Sequence, residues 1–97
     1  MNHSIASEVL TAVRHTVRPH MTVISRLQLE REVLQHPSRY PTLSSHSQKI
    51  RRTFISKIMH RSFPGWGAGE YTAKSTIAWK VTPESLEQEL EELHESY

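Results

Sequence analysis

The chain of 97 residues contains no cysteine. That excludes a disulfide scaffold, a thiolate metal centre and a cysteine nucleophile, and it fits a reducing cytosol. It also contains no aspartate, so a Ser-His-Asp triad, an aspartic dyad and an aspartate-rich metal cluster are all excluded. The seven histidines (3, 15, 20, 36, 46, 60, 94) show no paired spacing of the H-E-x-x-H kind. They read as surface or interface side chains. All three glycines, Gly65, Gly67 and Gly69, fall in one six-residue run that also holds Pro64 and Trp66. No Lys-Ser/Thr directly follows a glycine of that run and a strand pattern comes after it, so it is a turn-rich loop and no phosphate cradle. No apolar run approaches the roughly 18 residues of a membrane span, and the N-terminus lacks an apolar leader core. The expectation is a soluble, cytoplasmic, non-enzymatic protein with no cofactor.

What is present is an uneven charge distribution. Residues 1–82 carry all twelve Lys and Arg against four Glu, a net of +8, whereas residues 83–97 carry six Glu and no Lys or Arg. A basic body of this kind attracts polyanions, and the acidic end does not sit on one. The basic charge concentrates in residues 44–62, SSHSQKIRRTFISKIMHRS, with Lys49, Arg51, Arg52, Lys57 and Arg61 and no acid. At about 100° per residue, Ile50, Phe54, Ile55, Ile58 and Met59 fill one half of a helical wheel. His46, Lys49, Arg52, Thr53, Ser56, Lys57 and His60 fill the other. A row of donors on a helix anchored by its apolar side suits phosphate oxygens and base edges. A merely solvated charged face is the bland alternative.

Around this stretch the elements follow from local chemistry. Ile5, Val9, Leu10, Val13 and Val17 have helical spacing, Ser4 is a suitable N-cap, and Pro19 ends the helix by forcing Arg18 out of helical geometry. Arg14 and His15 lie off its apolar stripe. Residues 21–24 are either a short strand or the first turn of the next helix. The capping-box form Ser25-Arg26-Leu27-Gln28 favours the strand, with a helix over about 26–35 that buries Leu27, Val33 and Leu34, Leu29 being ambiguous. Residues 36–43 carry two prolines and read as loop, with Ser44, Ser45 and Ser47 as candidate caps for the basic helix, which ends before Pro64.

Ile77, Trp79 and Val81 alternate with Ala78 and Lys80, as in a half-buried strand with Trp79 in the core. A preceding strand near 70–73 would form a hairpin with it. Trp66 is either a contact residue or a lid over a small core. Thr82-Pro83-Glu84 is a well-formed helix start. In the helix that follows, Leu86, Leu90, Leu93 and Tyr97 are spaced 4, 3, 4 like a coiled-coil seam. The stripe either joins a second copy or folds back on its own domain. The former divides the chain into a body over 1–82 and a dimerisation helix over 83–97.

The order helix, strand, helix, basic helix, Gly-rich hairpin resembles the winged helix-turn-helix domain. TVISRLQLEREVLQ, SSHSQKIRRTFISKIMHR and GWGAGEYTAKSTIAWKVT carry the likeness over about residues 5–82. The fold class expected is α+β, mainly α, with a three-helix core, a hairpin wing and a C-terminal acidic helix. The resemblance implies that the basic helix enters the major groove of double-stranded DNA while the hairpin touches neighbouring backbone. Carried over by position, the contacting residues are His46, Lys49, Arg52, Thr53, Ser56, Lys57 and Arg61, with Lys74 and also Ser75 on the wing. The connection before the basic helix, about nine residues, is longer than in a tight helix-turn-helix. The implied function is a homodimeric transcriptional regulator, with a replication or plasmid-partition protein as a near relative. A protein-interaction module for an acidic partner is the rival, and RNA binding ranks third.

Overall fold

The computed structural model describes residues 4–20, 23–64 and 77–95. The Gly-rich loop with Trp66, the strand expected near 70–73, Lys74, Ser75 and Tyr97 lie outside the described residues. The elements in chain order are α1 (Ile5–Thr16), β1 (Val23–Ser25), α2 (Arg26–Gln35), a 3-10 turn (Pro37–Arg39), α3 (Pro41–Ser45), α4 (Gln48–Ser62), β2 (Ala78–Lys80) and α5 (Pro83–Glu95). This is an α+β chain, mainly helical, with a two-stranded antiparallel sheet.

Helix starts and stops sit where capping chemistry puts them. The Ser4 hydroxyl accepts from Ser7 N at 3.0 Å, and after the helix Arg18 Nη1 donates to the free His15 carbonyl at 3.1 Å. Ser25 and Gln28 cap each other reciprocally: Gln28 N donates to Ser25 Oγ and Ser25 N to Gln28 Oε1. Thr82 and Ser85 do the same at the start of α5, each bond 3.0 Å long. Residues 23–25 take the strand form, β1 and β2 pairing in the register Val23↔Lys80, Ile24↔Trp79 and Ser25↔Ala78. Arg26 N donates to Ile77 O at 2.8 Å and carries the ladder one step further.

One core gathers α1, α2, α3, α4, both strands and α5. Val9, Leu10, Val13, Ile24, Leu29, Val33, Tyr40, Leu43, Ile55, Met59, Trp79, Val81 and Leu86 all lie within it. Trp79 is in the core as its alternation implies. Ala78 is buried as well, so β2 is enclosed on both faces up to the exposed Lys80.

Two expectations are corrected. In α2 the buried residues are Leu29, Glu30 and Val33, while Leu27 and Leu34 stand 43% and 56% exposed. The segment LQLEREVL carries apolar pairs on two faces, Leu27/Leu34 and Leu29/Val33. Packing against both α1 and α4 selects the second pair. Residues 36–43 are also not plain loop. Pro37 and Pro41 each open a short helix at the position where a missing N–H costs nothing. Those turns place Tyr40 and Leu43 fully in the core. The buried Glu8 of α1 accepts from Thr42 N at 3.0 Å and Leu43 N at 2.8 Å, satisfying donors at the open end of α3.

By its spacing alone, the leucine stripe of α5 suits either a second copy or a fold-back. It rests largely on its own chain: Leu86 is 6% exposed, and Leu90 and Leu93 are half-buried against the same core. Val17 lines a groove with Pro83, Leu86 and Leu90, while Ala6 and Leu10 line another with Leu93. Helix α5 therefore runs back antiparallel along α1. Helical spacing is identical for a seam between copies and for a fold-back, and here the apolar flank of α1 lies against the stripe.

Candidate nucleic-acid interface

Helix α4 is the platform. The Ser47 hydroxyl accepts from Ile50 N at 3.4 Å and begins it; Phe63 N still donates to Met59 O at 2.8 Å before Pro64 ends it. Its innermost line is Arg51, Ile55 and Met59, spaced four apart and at most 6% exposed. Phe54 and Ile58 pack half-buried beside them. The inner face is thus rotated from the apolar half of the wheel: Arg51 enters and Ile50, at 45% exposed, leaves. Arg51 is held by an Nη1 bond to the His46 carbonyl at 2.9 Å, which pins the turn leading into α4. Its Nε is buried with no hydrogen-bond partner among the described residues.

The outward arc consists of Lys49, Ile50, Thr53, Lys57, His60 and Arg61, all exposed. Among the described residues, Lys49 and Lys57 have no ion-pair partner. Thr53 donates its hydroxyl to Lys49 O at 3.0 Å, so its oxygen keeps acceptor capacity toward a ligand. His60 accepts from Trp79 Nε1 through Nδ1 at 3.2 Å, with the two rings edge to face. In the neutral ring that bond leaves the proton on Nε2. It also ties the outer face of α4 to β2.

Three of the expected contact residues sit differently from the wheel. Ser56 is half-buried, and its Oγ is enclosed without a partner among the described residues. His46 precedes α4, half-buried, its ring 5.4 Å from that of Phe54. Arg61 lines a groove with Glu89 and Glu92 of α5, so acidic side chains flank the C-terminal end of the arc. The cationic character therefore concentrates around Lys49 and Lys57.

Arg52 leans to the other edge, toward α2. Its Nε donates to Glu30 Oε2 at 2.8 Å; the Glu30 side chain is 5% exposed and that of Arg52 40%. A carboxylate so enclosed needs its partner, and removing one member of a fully buried pair typically costs ~3–5 kcal/mol. With Arg52 half in solvent the figure here is smaller, about 1–3 kcal/mol. Glu30 and Ile50 are the residues the wheel missed. Ile50 carries no signal, because its apolar neighbours at 54 and 58 place it with the core. Glu30 could have been suspected only as the one acid on the buried side of α2.

Exposed Lys80 at the end of β2 adds a cation that the strand alternation already turned outward. Among the described residues no group of three or more His, Cys, Asp or Glu is placed to hold a metal ion, and no described helix is long and apolar enough to cross a membrane. Comparison with protein-family models, with curated proteins and with solved structures finds no match to this chain. Fold and side-chain geometry are therefore what a functional reading rests on.

Proposed function

We propose that this chain binds double-stranded DNA in a sequence-specific manner, with α4 in the major groove in the way of a winged helix-turn-helix domain, and acts as a transcriptional regulator. The observation that carries the reading is the outward arc of α4. It presents Lys49, Thr53 and Lys57 clear of any acidic partner among the described residues, on a helix anchored by Arg51, Ile55 and Met59. An α-helix fits the roughly 12 Å width of the B-form major groove, and lysines there meet phosphates while shorter polar side chains reach base edges. The antiparallel pairing of β1 with β2 supports the winged form, since it lays residues 78–80 against the strand that leads into α2. Lys74 and Lys80 would then reach the backbone flanking the groove, and Arg52 would contribute from the α2 side.

A second copy is proposed as a partner through what the fold-back leaves of the α5 stripe, the half-buried Leu90 and Leu93. A protein-binding reading is favoured by one observation, the exposure of Leu27 and Leu34 on α2. Selection of bound duplexes from a random DNA pool separates the readings. Enrichment of one motif supports DNA recognition, and a two-fold symmetric motif supports a dimer. Recovery of no motif, with no competition by the selected duplexes, contradicts the DNA reading.

A further inference from the structure

We propose that Glu30 is a positioning residue that holds Arg52 in register for a guanine of the bound duplex. The inference rests on the DNA-binding reading of α4 and names the base it would read.

Arg52 stands at the edge of the outward arc, three residues after Lys49 and next to Thr53. Its Nε–H is committed to Glu30 Oε2 at 2.8 Å. Among the described residues neither of its Nη groups has a partner. A guanidinium carries five N–H donors in one plane, so the four on Nη1 and Nη2 remain for a ligand. The Glu30 carboxylate is 5% exposed and sits on α2, so the bond fixes the guanidinium plane against a rigid wall. A long side chain pinned this way loses little further freedom when it meets its target.

Two parallel N–H donors at the end of a fixed plane match two adjacent acceptors. In the major groove guanine offers that pair, O6 and N7, whereas adenine sets an N6 donor beside N7 and would oppose N–H to N–H. The charge at this spot argues the same way. A carboxylate beside Arg52 weakens its attraction for phosphate, so the pair makes a poor backbone clamp. A base contact depends on direction more than on net charge and tolerates the carboxylate.

The test uses the full chain and a duplex obtained by selection, in which each guanine in turn is replaced by 7-deazaguanine, which lacks the N7 acceptor. In the wild type one guanine should show a penalty of about fivefold or more, within the range expected of a bidentate base contact. Arg52→Ala and Glu30→Ala should each abolish that penalty while leaving the salt dependence contributed by Lys49 and Lys57. Glu30→Gln, which still offers an oxygen to Nε, should retain part of it. If Glu30→Ala does not fold, Glu30→Met, of similar length and without the carboxylate acceptor, replaces it. A Glu30→Ala or Glu30→Met protein that folds and keeps the full penalty would show that the pair only ties α2 to α4. Absence of any sensitive guanine in a wild type that binds duplex overturns the reading of Arg52 and leaves DNA binding intact. Failure of the wild type to bind any duplex removes the DNA reading itself, and this inference with it.

Discussion

Replacing Glu8 by alanine tests how α1 and α3 are held together. The carboxylate is 1% exposed and accepts from Leu43 N at 2.8 Å and Thr42 N at 3.0 Å, 35 and 34 residues away in sequence. Leu43 is fully buried, so its orphaned N–H would have no access to water; that of the half-buried Thr42 would have some. An unsatisfied buried donor costs about 1–3 kcal/mol, and bonds to a charged acceptor lie at the upper end. Removing the carboxylate also removes the cost of burying it, so we take ~2–4 kcal/mol for the pair. For a domain of this size each kcal/mol is worth about 4–8 °C, so Tm should fall by roughly 10–30 °C. That is a large part of the ~5–15 kcal/mol that holds a typical domain together. Glu8→Gln keeps one acceptor oxygen and turns an amide NH2 toward the other donor, and should lose about half as much. Urea and thermal unfolding followed by circular dichroism give the magnitudes, and hydrogen exchange at the Leu43 amide gives the location. A Glu8→Ala protein within about 0.5 kcal/mol of wild type, or one in which Leu43 exchanges no faster, would refute this reasoning.

The Tyr40 hydroxyl donates to Glu32 Oε2 at 2.8 Å, and burial, with the nearby Glu32 carboxylate, pushes its pKa above the ordinary 10.0. A raised pKa in the folded state gives stability that is complete below pH 10 and is lost as pH rises further. Tyr40→Phe, about 1 kcal/mol less stable at pH 8, should therefore narrow its gap to wild type by pH 11 in urea titrations; a constant gap counts against the bond. Leu86→Glu should unfold the chain or lower Tm sharply, because it puts a carboxylate into the core, whereas Leu90→Glu should fold and, if a second copy docks on the α5 stripe, sediment as a smaller species than wild type. Equal behaviour of the two variants would contradict the fold-back of α5.

Much of the fold is legible because it is local. Ser4, the Ser25–Gln28 box and Thr82-Pro83 mark their helix starts by side chains within three residues of the backbone they satisfy. Trp79 declares itself core by alternation. What fails is phase and partnership. The two apolar pairs of α2, Leu27/Leu34 and Leu29/Val33, are equally good stripes until α1 and α4 are both present to choose. Arg51 counts as one more cation of the basic stretch, yet it lies on the same line as Ile55 and Met59, with its Nη1 held by the His46 carbonyl. Two prolines suggest a loop over 36–43, and each instead occupies the first turn of a short helix. For the candidate interface, Lys49, Thr53 and Lys57 are placed by helical periodicity alone. The pairing of Arg52 with Glu30 joins residues 22 apart on different helices. No periodicity shows it.

The most direct measurement is the affinity of the full chain for labelled duplex DNA as a function of salt, for wild type and for Lys49→Ala/Lys57→Ala. Each neutralised phosphate contributes about −0.9 to the slope of log affinity against log salt, so three to five contacts predict roughly −3 to −4.5 per protomer. The double variant should lose close to two contacts and flatten the slope by about 1.8. Tight binding with that slope, reduced in the variant while its fold is unchanged, is the result expected of α4 lying on DNA. Duplex binding that is absent, insensitive to salt, or unchanged in the double variant would contradict it.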